Sequence, residues 1–126
     1  MKLRCTTNSI RIRIRKSELK TLASDGRLTD ALRLSPQTVF SYALLVHEGP
    51  SIKVDYAHNT LTVLLPQKVA AEWMNSDLIS IERQLTVSDN DSLHILIEKD
   101  FPCKDRDEEN FEDFFHELSN EPNDTC

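Results

Sequence analysis

The 126-residue chain is most informative first for what it lacks. It has no run of 18 apolar residues, so no transmembrane helix is expected. The start M-K-L-R-C carries charge without an apolar h-region, so no signal peptide is expected and the expected compartment is the cytoplasm. Cys5, Cys103 and Cys126 make an odd count with no C-x-x-C spacing, which argues for reduced thiols over a disulfide framework. His47, His58, His94 and His116 show no H-x-H or H-E-x-x-H spacing, and the carboxylates from Asp105 to Asp113 lack the alternation and central Gly of an EF-hand loop. No metal and no cofactor is expected. Aromatics are only 6% of the chain, no basic strand is interleaved with Phe or Tyr, and the net charge is −6. These features argue against nucleic acid as a partner.

What is present is one stretch of clear period, Asn8 to Lys16, read N-S-I-R-I-R-I-R-K. Ile10, Ile12 and Ile14 alternate with Arg11, Arg13 and Arg15. A strand sends successive side chains to opposite faces, so this pattern gives one apolar and one cationic edge. The charge is also unevenly spread. Residues 1–33 hold nine bases and three acids, whereas residues 105–126 hold nine acids and one base, Arg106, a balance of −8. We therefore divide the chain into a globular β-rich domain over 1–104 and an acidic C-terminal tail over 105–126, partly helical or disordered.

Along the domain, Lys2–Cys5 and Ser9–Arg15 read as strands joined by a turn. Ser17 is the expected N-cap of a short helix whose stripe is Leu19, Leu22 and Ala23 and whose stop is Gly26. A weak strand follows to Leu34, then a stronger one over Thr38–Val46. The hairpin Ser51–Leu65 turns at His58-Asn59-Thr60. Pro66 opens a second helix bearing Val69, Ala70, Trp73 and Met74. Strands over Leu78–Val87 and Leu93–Lys99 complete the body. No internal repeat is visible. Seven or eight short strands with tight turns and two short helices predict an α+β fold, mainly antiparallel β, arranged as a curled sheet or incomplete barrel.

The blocks K-L-R-C-T-T-N-S-I-R-I-R-I-R-K-S-E-L, W-M-N-S-D-L-I-S-I-E-R-Q and L-H-I-L-I-E-K-D-F-P-C together resemble a family of small bacterial proteins of unknown function. Its pattern runs K-I-R, N-S-I-R-x-R, a Trp before S-D-x-x-x-I, then I-L-I-E-K-D-F-x-C. The likeness spans Met1 to about Arg106 and implies no activity. The family's tail tends to be acidic and to end in a short Phe-Asn-Pro segment, whereas this tail carries Phe111, Phe114 and Phe115 and ends in Asn120–Cys126.

The candidate chemistry is correspondingly narrow. Guanidinium forks match phosphate and carboxylate geometry, so Arg11, Arg13 and Arg15 form a candidate anion-binding set. The plainer alternative is a solvated sheet face paired to Glu or to the acidic tail. Cys103, beside Lys99, Lys104 and Arg106, is a candidate low-pKa thiol, set against a small buried thiol at the end of the last strand. We place the candidate binding residues at Arg11, Arg13, Arg15, Lys99, Cys103 and Arg106. Phe111, Phe114, Phe115 and Leu118 fall at helical spacing and could dock on a second copy or fold back on the body. The expected function is a binding or interaction protein using its Arg-bearing face. The alternative is a phosphate- or polyphosphate-handling enzyme with the Arg ladder inside a barrel, although the E-x-E-x-K signature of triphosphate channels is absent.

Overall fold

The structure, a computed structural model, describes residues 1–100. Ten elements follow in order: β1 (Lys2–Thr6), β2 (Ser9–Ile14), α1 (Lys16–Asp25), β3 (Arg27–Ser35), β4 (Thr38–His47), β5 (Lys53–Ala57), β6 (Thr60–Pro66), α2 (Gln67–Met74), β7 (Ser80–Thr86) and β8 (Ser92–Lys99). They form two four-stranded sheets, β1-β2-β8-β7 and β3-β4-β6-β5, and no closed barrel. The fold is α+β, and most strand pairs are antiparallel, as the short connections require. The two central pairs, β2 with β8 and β4 with β6, are parallel. A parallel pair needs a long crossover only when its strands follow one another. Here β2 and β8 come from opposite ends of the body, so no local loop has to make the crossing. Among the described residues no helix is long and apolar enough to cross a membrane.

The Ile/Arg alternation sets the orientation of the first sheet. Ile10, Ile12 and Ile14 are buried with Ile95 and Ile97 of β8, while Arg11 and Arg13 face outward. The Arg ladder therefore does not line a barrel interior. The core continues through Leu22, Leu44, Val63, Leu65 and Trp73. Trp73 is fully buried and its indole N–H donates to the Ile79 carbonyl at 2.9 Å, which satisfies the ring's one polar atom.

Local signals explain the ends of the elements. Asn8, His58 and Asn59 hold positive φ at two hairpin tips, a conformation Asn tolerates better than most residues. Gly26, with φ 71°, ends α1, and its N–H donates to Leu22 O at 2.8 Å. The start of α1 differs from expectation. The N-cap is Arg15, not Ser17. Glu18 supplies the reason: its carboxylate accepts from the Arg15 backbone N–H at 2.9 Å and from the terminal ammonium of Met1. An acid in the first turn satisfies donors there and suits the helix dipole.

The two sheets are related by an internal duplication that the sequence conceals. In the first hairpin Lys2 lies opposite Arg13, and in the third Lys53 lies opposite Leu64, so both strands shift by 51 positions. The same shift carries Asn8 to Asn59 at the tips, and Leu22 to Trp73, both fully buried, in the helices. In the remaining hairpins Arg27 lies opposite Leu45 and Ser80 opposite Glu98, a shift of 53. Each half is thus ββαββ, and each contributes one hairpin to each sheet. The copies match in register and burial but not in residue identity, so no repeat shows in the sequence.

Candidate functional site

The duplication provides an internal comparison for the Arg-bearing face. On the first sheet the outward positions at its centre are Ser9, Arg11, Arg13, His94, Leu96 and Glu98. The corresponding outward positions on the second sheet are Thr60, Thr62, Leu64, Ser41, Ala43 and Leu45. The central positions are charged on one face and uncharged on the other, whose flanking strands carry Arg27, Lys53 and Asp55. Register and packing alone therefore do not demand charge at these positions.

The ion pairs on the charged face converge on Glu98. Its Oε1 accepts from Arg11 Nε at 2.7 Å and from Arg13 Nε at 2.8 Å, and Arg11 Nη2 lies 2.6 Å away in an ion pair. Glu98 retains only 12% of its side-chain exposure, so the pairs are better shielded from water than ordinary surface ion pairs. Arg15 is not part of this set. The strand ends at Ile14, and the exposed Arg15 guanidinium turns to Glu18 at 3.4 Å. Lys99 is also elsewhere: its ammonium donates to Ser76 O at 2.8 Å and sits 5.9 Å over the Trp73 ring. Cys103, Arg106 and the stripe Phe111, Phe114, Phe115 and Leu118 lie outside the described residues.

Next to the Arg–Glu cluster is a shallow concavity of about 250 Å³ lined by Arg4, Thr6, Ser9, Arg11, His94 and Leu96. The β1–β2 register brings these groups together, with Arg4 opposite Arg11 and Thr6 opposite Ser9. Like charges directly opposite on neighbouring strands destabilise a sheet. Glu98 offsets Arg11, but among the described residues no carboxylate pairs with the exposed Arg4. At the other side of the concavity Ser9 Oγ lies 3.2 Å from His94 Nδ1, and His94 Nε2 lies 2.5 Å from Glu82 Oε2. Among the described residues no group of three His, Cys, Asp or Glu side chains is placed to hold a metal ion.

Arg4, Thr6, Ser9, His94 and Glu82 were absent from the sequence-derived set. Phase could have found part of it, since Ser9 shares the outward parity of Arg11 and Arg13. Nothing in the sequence could pair Ser9 with His94, 85 residues away.

A second polar cluster lies at the start of β1. The Met1 ammonium pairs with Glu18 and, at 3.4 Å, with Asp30, while the Tyr42 hydroxyl donates to Met1 O at 3.3 Å. Burial tends to raise the Glu18 pKa, but the bonds from the ammonium and from Arg15 outweigh it and hold the carboxyl below its usual value. Burial, with the charges of Asp30 and Glu18, pushes the Tyr42 phenol up. This cluster ties the start of β1 to α1, β3 and β4.

No curated protein and no solved structure matches the chain. A family model does match, over residues 1–119, and so reaches past Arg106 into the segment containing Phe111 to Leu118. The chain belongs to that family, a family of unknown function (DUF7009).

Proposed function

We propose that the protein is a binding domain that recognises an anionic group on the outer face of its first sheet, in the concavity between Arg4 and Arg11. The observation that carries this reading is the Arg4–Arg11 juxtaposition. Two guanidinium groups sit opposite each other on a sheet, and among the described residues one carboxylate serves Arg11 and none serves Arg4. An oxyanion between them would relieve the repulsion and accept from both forks, and the hydroxyls of Thr6 and Ser9 add neutral donors beside it. At the corresponding positions of the second sheet Asp55 and Thr62 stand in place of Arg4 and Arg11, so the facing guanidinium pair belongs to the first sheet alone. The −8 tail over 105–126 is the competing anion within the chain, and cytoplasmic residence is part of this proposal.

The test is a titration of the full chain with inorganic phosphate, and separately with succinate, at low salt, followed by amide NMR shifts. Saturable shifts centred on Arg4, Thr6, Ser9 and Arg11 are expected, and Arg4→Gln should weaken binding about tenfold, the loss of about 1.4 kcal/mol of charge-assisted hydrogen bonding. Shifts spread evenly over the surface, or unchanged affinity in Arg4→Gln, would overturn the assignment.

A further inference from the structure

The Ser9–His94–Glu82 line has no evident structural purpose. All three side chains are on the solvent side of the sheet, so none has to be bonded to satisfy a buried polar atom. The second sheet has Ser41 where this one has His94, and Thr60 where this one has Ser9, and it folds with the same register. The groups come from three adjacent strands, β2, β8 and β7, so ladder hydrogen bonds fix their spacing rather than loops.

The chemistry of the line is directional. A carboxylate can only accept, so in the neutral imidazole the contact with Glu82 places the ring proton on Nε2. Nδ1 then presents its lone pair to Ser9 Oγ, 3.2 Å away. The Ser9 hydroxyl is left as donor to a base whose far side is held by an acid. This is the arrangement that activates a serine for attack, recognised by geometry and roles rather than by sequence position. It opens onto the same concavity as Arg4 and Arg11.

We infer that Ser9 and His94 are catalytic residues, with Glu82 a positioning residue, for the hydrolysis of carboxylic esters that carry an anionic group. This inference rests on the anion-binding reading above, because Arg4 and Arg11 supply the selection for charge. In the first step Ser9 Oγ bonds to the acyl carbon while its proton passes to His94 Nδ1. The tetrahedral intermediate collapses, the ester C–O bond breaks, and the leaving alkoxide takes that proton. Water then attacks the acyl-Ser9 ester, again giving a proton to His94. The proton returns to Ser9 as the free acid departs.

The experiment uses the full chain with the mono-4-nitrophenyl ester of adipic acid, and with 4-nitrophenyl hexanoate as its neutral counterpart. Nitrophenolate release above the buffer rate is expected, with an adipoyl mass increment on the peptide containing Ser9. Ser9→Ala abolishes both. His94→Gln lowers kcat about a hundredfold, the usual scale of a general base. Glu82→Gln moves the acidic limb of the kcat/KM pH profile, and Glu82→Asp restores part of it, which a merely structural role would not do. Arg4→Gln raises KM for the adipate ester about tenfold, a larger change than it makes for the hexanoate. The acylation readout is made on the unmodified chain, so it stands even if a variant misfolds. Release at the buffer rate and no acyl-Ser9, with the phosphate titration still saturating, would overturn the catalytic line and leave the anion site intact. If the phosphate titration fails as well, both readings fall.

Discussion

Replacing Glu98 by Gln removes the carboxylate that Arg11 and Arg13 share while keeping the shape of the side chain. Glu98 Oε1 accepts two N–H bonds, at 2.7 and 2.8 Å, and Arg11 Nη2 makes a further contact with it at 2.6 Å. Each charge-assisted bond contributes about 1.5–3 kcal/mol net. Bonds sharing one oxygen do not add, and the guanidiniums keep 32% and 28% of their exposure, so solvent screening lowers the sum. We therefore expect Glu98→Gln to cost about 2 kcal/mol, and the melting temperature to fall by roughly 10 °C. Urea unfolding at low ionic strength measures the loss, and a double-mutant cycle with Arg11→Gln isolates the pair, with an expected coupling of about 1–2 kcal/mol. The same substitution releases the Arg11 fork, so phosphate should bind more tightly to Glu98→Gln than to the unmodified chain. A coupling below about 0.3 kcal/mol, or phosphate affinity that falls with the substitution, would refute the reasoning, because either result would mean that Glu98 does not restrain Arg11.

Two further expectations concern the scaffold. Trp73→Ala empties the largest fully buried site and should cost about 3–5 kcal/mol by urea unfolding, whereas a cost under about 1 kcal/mol would mean that the helix collapses into the space. Glu18 is held below the 4.5 of an ordinary glutamate, so its contribution is complete above that value and is lost as pH falls through the depressed folded pKa. Glu18→Gln should therefore flatten the acid limb of the stability curve, and parallel curves for the two proteins would show that the Met1–Glu18 contact does not matter.

The elements themselves were largely legible. Alternation placed β2, β6 and β8, a β-rich run placed β4, Gly26 marked the end of α1, and Asn59 marked a hairpin tip. Two kinds of information were missing. The first was the competition at Arg15, where strand parity would have kept the side chain with Arg11 and Arg13. The first turn of a helix took the residue instead, because Glu18 offered its backbone a partner. The second was strand order. Arg4, Ser9, His94 and Glu82 meet only because β1, β2, β8 and β7 are neighbours, and side-chain parity does not specify which distant strand lies alongside. The site was half visible as phase and invisible as assembly.

The strand order also bears on when the site comes into being during synthesis. The second sheet is made from a continuous stretch of chain, residues 27–66, and every one of its partners is available once that stretch has been translated. The first sheet joins the opening hairpin to the closing one, and β2 has no parallel neighbour until Ser92–Lys99 has been made. The concavity, the Arg–Glu cluster and the serine–histidine contact all straddle that seam. A chain stopped short of β8 retains every residue of the second sheet and lacks Glu98, on which the Arg–Glu cluster converges. Synthesis of β8 is thus a precondition of the proposed site.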